Sequence, residues 1–246
     1  ARRAGGSRYH RRMFRPTLAL SMLALLAACA QQNTTPPRSG GGFGPAQLAK
    51  SDIDRVAEAH QREVFVNLRL LTEKLYRRNP RELKKSGAAT VDAALARIFE
   101  TRHAWKFTEL QGKRGADAIQ LAFRDDYAGD RVLAYVAGLG GMMQTAFNDK
   151  TEFFVLDDLD PQRLYNAARN VEIAVWKLSI TRNVQGDFYL LSNETTGPLR
   201  NLSFEREFGK IIGSLDVLSK IIADKENRTI VKVIHSLATA VFLPVH

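Results

Sequence analysis

The chain carries one cysteine in 246 residues, Cys29. Without a second thiol there is no intrachain disulfide and no cysteine zinc site, so an apolar core must supply the stability. Histidine is nearly as scarce. Beyond residue 28 the internal ones are His60, His103 and His235, and no two stand four apart, which removes the helical zinc-binding pair. Long apolar runs are missing too. The stretches 18–28 and 132–143 are each about a dozen residues, against the roughly 20 that a membrane-spanning helix needs. No nucleophile elbow, kinase signature set or dinucleotide fingerprint is present. Finally, residues 1–28 contain six arginines and no acid.

That last absence reinterprets the net charge. A formal charge of +10 points at first to a nucleic acid or another anionic partner. Setting aside the six arginines of residues 1–28 leaves 30 basic and 26 acidic residues, a balance of +4. Most of the basicity therefore belongs to the first segment, and nucleic acid is not an expected partner.

The first segment has the grammar of an export signal. Arg11, Arg12 and Arg15 precede an apolar run from Leu18 to Ala28 that is broken only by Ser21, and small residues close it. Its end, Leu26-Ala27-Ala28-Cys29, resembles the lipobox of bacterial lipoproteins. The resemblance implies that Leu26, Ala27 and Ala28 are read by signal peptidase II. Cleavage before Cys29 then leaves a diacylglyceryl cysteine whose amino group is acylated, commonly with palmitate. It also implies a periplasm-facing envelope protein, and Ala30 in place of aspartate implies sorting to the outer membrane of a Gram-negative cell. Ala1 is not methionine, and Met13 is the expected native start. If the upstream residues are translated, Arg11-Arg12-Met13-Phe14 resembles a twin-arginine export signal; otherwise the general secretory route applies. Once Cys29 is acylated, no thiol nucleophile remains.

Three segments follow from this: a signal peptide over 1–28, an acylated cysteine with a tether over 29–45, and a helical domain over 46–246. The tether opens with Gln31-Gln32-Asn33-Thr34-Thr35-Pro36-Pro37 and ends in Ser39-Gly40-Gly41-Gly42. As a random coil its reach is roughly 20 Å. Apolar residues then recur at helical spacing. A capping-box-like start at Ser51 predicts a helix carrying Ile53, Val56, Ala57, Val64, Leu68, Leu71 and Leu75, stopped at Asn79-Pro80. Shorter helices are expected over 91–99 and 116–123. The uncharged segment 132–143 reads as a central buried helix with a row of small residues, Ala134, Gly138, Gly141 and Thr145. Asp160-Pro161 starts another helix. A turn over 183–187 leads into a short extended stretch. A helix from Ser203 carries Phe204, Phe208, Ile211, Leu215, Leu218 and Ile222, with Gly209 and Gly213 placed for tight packing. A last helix is expected over 229–242. The predicted architecture is an all-α domain of six to eight helices with one short extended or hairpin segment.

Candidate chemistry is sparse. The run 74–85 is the strongest basic patch left after processing, with Lys74, Arg77, Arg78, Arg81, Lys84 and Lys85. It reads either as a solvated helix end or as a contact for anionic headgroups or an acidic partner. The acid clusters Asp125-Asp126-Asp130 and Asp157-Asp158-Asp160 lack calcium-loop spacing and precede helices, so capping explains them. His60 reads as a core-edge residue and His103 as part of a turn beside Trp105. No catalytic residue, cofactor or metal ligand is assigned. The expected function is a non-enzymatic binding or scaffolding module, anchored to the membrane by lipid and engaging another envelope protein or peptide. The competing reading is an enzyme or small-ligand protein, which requires His103, Trp105 and the acids near Asp125 to converge on one cleft.

Overall fold

The computed structural model describes residues 50–154, 157–195, 198, 200–232 and 241–246, within one unit spanning Gly44–His246. The expected export signal, Cys29 and the expected tether lie outside the described residues. So do the middle of the expected last helix and His235.

Seven α-helices and no strand occur among the described residues. Helix α1, Asp52–Arg78, starts at the expected capping box. Ser51 Oγ accepts the amide of Asp54, and the Asp54 carboxylate accepts the amide of Ser51 at 2.6 Å. Asn79 caps its end, and Pro80 opens a six-residue helix α2, Pro80–Lys85, at the position where its missing amide costs nothing. The basic run therefore turns a corner instead of fraying into solvent. Helix α3, Val91–Phe99, and helix α4, Ala116–Ala122, match the expected short helices. Helix α5, Arg131–Ala146, is buried without a break from Arg131 to Met143. Helices α6, Pro161–Ile180, and α7, Ser203–Glu226, complete the set. Helix α7 lies between α1 and α6, while α5 touches α1, α2, α4 and α6. No helix among the described residues is long and apolar enough to cross a membrane.

The small-residue row on α5 works as expected, through one glycine more than the other. A Cβ at Gly138 would stand 2.4 Å from Ile119 Cγ1 and 2.7 Å from the Gly115 carbonyl oxygen, so bare backbone lets α4 approach. At Gly141 the nearest atom is 3.0 Å away. Gly140, outside the expected row, carries the indole of Trp105, 2.3 Å from where its Cβ would sit.

Two expectations need correction. Gly209 and Gly213 pack against nothing: both are exposed, and a Cβ at either would meet no atom within 4 Å. Helical spacing placed them beside the buried stripe, but α7 faces solvent there. The ends of the expected last helix, 229–232 and 241–242, are not helical. Asn227 takes a left-handed conformation that terminates α7 (φ 53°), and the backbones of Val231 and Leu243 are instead held by Gln162 and Asn170 of α6. Side chains from another element compete with helical hydrogen bonding, and this cannot be seen in a local apolar pattern.

The two kinds of glycine predict opposite responses. Gly138→Ala overpacks the α4–α5 contact and lowers stability by about 1–3 kcal/mol. Gly209→Ala adds helix propensity on an open face and raises stability by roughly 0.5–1 kcal/mol. Denaturant unfolding of the protein checks both. A stabilising Gly138→Ala would mean that the two helices do not meet backbone to side chain.

Candidate functional site

A cleft of about 1060 Å³ opens where the end of α1 and helix α2 face the segment 182–191. Asn79 makes that meeting possible. Its side chain donates to the Leu191 carbonyl at 2.8 Å and accepts the Leu191 amide at 2.7 Å, while also donating to the Leu75 carbonyl. One buried amide thus caps a helix and fastens a loop. The loop is turned by Asn183, whose side chain accepts the amides of Gln185 and Asp187, and an antiparallel bridge pairs Arg182 with Phe188. This is the short extended segment expected from the sequence.

The cleft is also lined by Arg131, at the first turn of α5. Its guanidinium donates to the carbonyls of Ala122, Arg124 and Tyr127 at 2.7–2.8 Å. It also lies over the Tyr189 ring, 4.7 Å from the centroid. Its own amide is taken by the Glu82 carboxylate at 2.8 Å. Glu82 is buried on α2 and also holds Lys85 Nζ at 2.7 Å. Across the cleft Arg182 sits 3.8 Å from the centre of the Phe188 ring and donates to the Gly186 carbonyl. Five basic side chains line the cleft against three acidic ones.

The sequence-predicted patch is divided by the fold. Arg78, Arg81 and Lys85 line the cleft. Lys74 points the other way, to the buried Glu207 carboxylate and the Ser203 carbonyl of α7, both at 3.0 Å. Arg77 pairs with Glu73 on the same helix, and Lys84 is exposed outside the cleft. His60 sits at the core edge with Nδ1 2.8 Å from Ser214 Oγ. His103 bonds the Ile98 carbonyl and the Trp105 amide, stabilising a turn in which Ala104 and Trp105 both have positive φ. Asp125 lines the cleft, but His103 and Trp105 do not, so the convergence that an enzyme reading asked for is not found. No cluster of three metal-ligating side chains occurs among the described residues.

The acid clusters resolve into caps and links. Asp160 accepts the Gln162 amide at the start of α6, and Asp157 binds the Phe154 amide and the Lys150 ammonium. Asp130 accepts the amides of Val132 and Leu133 and the Tyr76 hydroxyl at 2.7 Å. Sequence reasoning missed Arg131, Arg182, Tyr189 and the role of Asn79. Arg131 stands one residue before the uncharged run, and that position is the only local sign that a charge is being carried inward.

Burial, reinforced by nearby Glu82, raises the pKa of Asp130 from 3.8 to about 6, although its three hydrogen bonds pull the other way. Between these values the folded protein holds this proton more tightly than the unfolded chain. Stability from this group therefore grows as pH falls from about 6 to 4 and is lost as pH rises through 6. Asn keeps the cap but does not titrate. Relative to Asp130→Asn, the wild type should gain on the order of 3 kcal/mol between pH 7 and pH 4. Unfolding of both across that range measures it, and a relative loss on acidification would mean that the carboxylate is a favourable charged cap. Comparison of the chain with protein-family models, with curated proteins and with solved structures finds no match.

Proposed function

We propose that the chain is a lipid-anchored lipoprotein of the bacterial envelope, facing the periplasm at the outer membrane of a Gram-negative cell. Its helical domain is then a non-enzymatic binding or scaffolding module presented on a short tether. One observation carries the anchoring: the only thiol of the chain closes Leu26-Ala27-Ala28-Cys29 and is followed directly by a polar, proline- and glycine-rich segment. The cleft supports the second half of the reading. It is open and cation-rich, and most of its charged groups are engaged in holding helix ends and a loop, which suits recognition more than bond-breaking. The partners in this reading are the membrane, through the acyl chains, and another envelope component at the cleft.

Metabolic labelling with a fatty-acid analogue in a Gram-negative host tests the anchor. Label should attach to the wild type and be lost in Cys29→Ala, which should also persist at the size of the uncut precursor. Equal labelling of the two chains would remove the lipoprotein reading.

A further inference from the structure

Three guanidinium groups on the cleft have no carboxylate partner among the described residues, each on a different element. Arg81, on α2, is exposed and makes no ion pair. Arg131, on α5, is only 9% exposed and gives its N–H groups to three main-chain carbonyls, which carry no formal charge. Arg182, on the loop, donates to one carbonyl and lies over an aromatic ring. Burying a cation without a counter-ion is unfavourable in a low-dielectric setting, so the fold holds Arg131 in place at a cost.

Most of the neighbouring acids are engaged elsewhere: Asp126, which feels the Arg131 charge, is paired with Arg124. Glu82 is occupied by Lys85 and by the Arg131 amide, and Asp125 faces the Tyr189 hydroxyl. Arg78 already has Glu194 at 2.8 Å. Only Asp187 is a lining carboxylate without a side-chain partner among the described residues. The same walls expose apolar surface at Val184 and Leu191, which are 77% and 45% accessible. A cleft of this volume with mixed lining suits an organic molecule bearing an anion, not a bare ion.

We infer that this cleft binds an organic phosphate, with its oxygens held by Arg81 and Arg182, the charge of Arg131 behind them, and its organic part against Leu191. Guanidinium forks match oxyanions. Three positive groups from three elements also suit a tetrahedral phosphate with several free oxygens better than a planar carboxylate with two. The inference rests on the domain being a binding module and is independent of the anchor. The phosphate could belong to a lipid headgroup or to a soluble ester, and the two sources are separable.

Calorimetry on the mature protein in nonionic detergent makes the separation. The probes are glycerol 3-phosphate in solution, a short-chain phosphatidic acid carried in the same micelles (both monoesters with three free phosphate oxygens), and a hexaglutamate peptide as the competing anion. Binding of either phosphate supports the inference, the first naming a soluble ester and the second a headgroup. That binding should weaken about tenfold or more in the Arg81→Gln/Arg182→Gln double variant. It should recover in part with Arg81→Lys, remain unchanged in Arg62→Gln on the exposed side of α1, and fall as salt rises. Both altered residues are exposed, so circular dichroism should show an intact helical domain. Phosphate binding that ignores the double variant overturns the assignment. Binding of hexaglutamate with no phosphate binding also overturns it, but leaves a binding module that takes acidic peptides. Silence with all three probes overturns it and removes the cleft from the module reading, while the fatty-acid label still reports the anchor separately.

Discussion

The first turn of α5 is a polar junction inside an apolar core, and the rest of the domain is arranged around it. A helix buried on every side cannot leave its first amides to solvent, so they must find acceptors in the interior. Asp130 takes two of them and Glu82 takes a third. Asp130 also receives the Tyr76 hydroxyl from α1, and Arg131 collects three carbonyls from the turn that follows α4. Four helices are thereby fixed at one point by groups that would each be costly if left unpaired.

The same junction shapes the surface. Because Arg131 reaches outward from α5 and Glu82 inward from α2, the edge of the core is also a wall of the cleft. Tyr189 covers the guanidinium, and Asn79 secures the loop that carries Tyr189 to the end of α1. The glycines act in the opposite sense, by removing side chains. Gly138 lets α4 close on α5, and Gly140 makes room for Trp105, which also stacks on Phe65. Aromatic packing on one side of α5 and ionic packing at its start leave little freedom for the helix to shift.

Much of the helical frame was legible because it is local. The capping box at Ser51, the break at Asn79-Pro80, the cap at Asp160 and the stripes of α1 and α7 lie in short windows of sequence. The uncharged run likewise announced a buried helix. What escaped depends on contacts between distant residues. Asn79 and Leu191 are 112 positions apart, and nothing near either residue marks the pairing. The six cations of the basic run look equivalent in sequence, yet Glu207 draws Lys74 toward α7 while Arg78, Arg81 and Lys85 face the cleft. Gly209 and Gly213 depart from expectation for the same reason: periodicity places a residue on a face, but not a neighbour on that face. The apolar rhythm runs on past Asn227, yet at its described ends side chains of α6 hold the backbones of Val231 and Leu243.

The central claim is that the junction at the start of α5 couples the core to the cleft, and hydrogen exchange on Arg131→Lys tests it most directly. Lysine keeps the charge but has no planar fork to bridge three carbonyls and no flat face for Tyr189. The account predicts faster exchange both in the turn 122–127 and in the loop 182–191, with α1, α6 and α7 keeping their protection. Unchanged exchange in 182–191, or an equal rise throughout the domain, would contradict it.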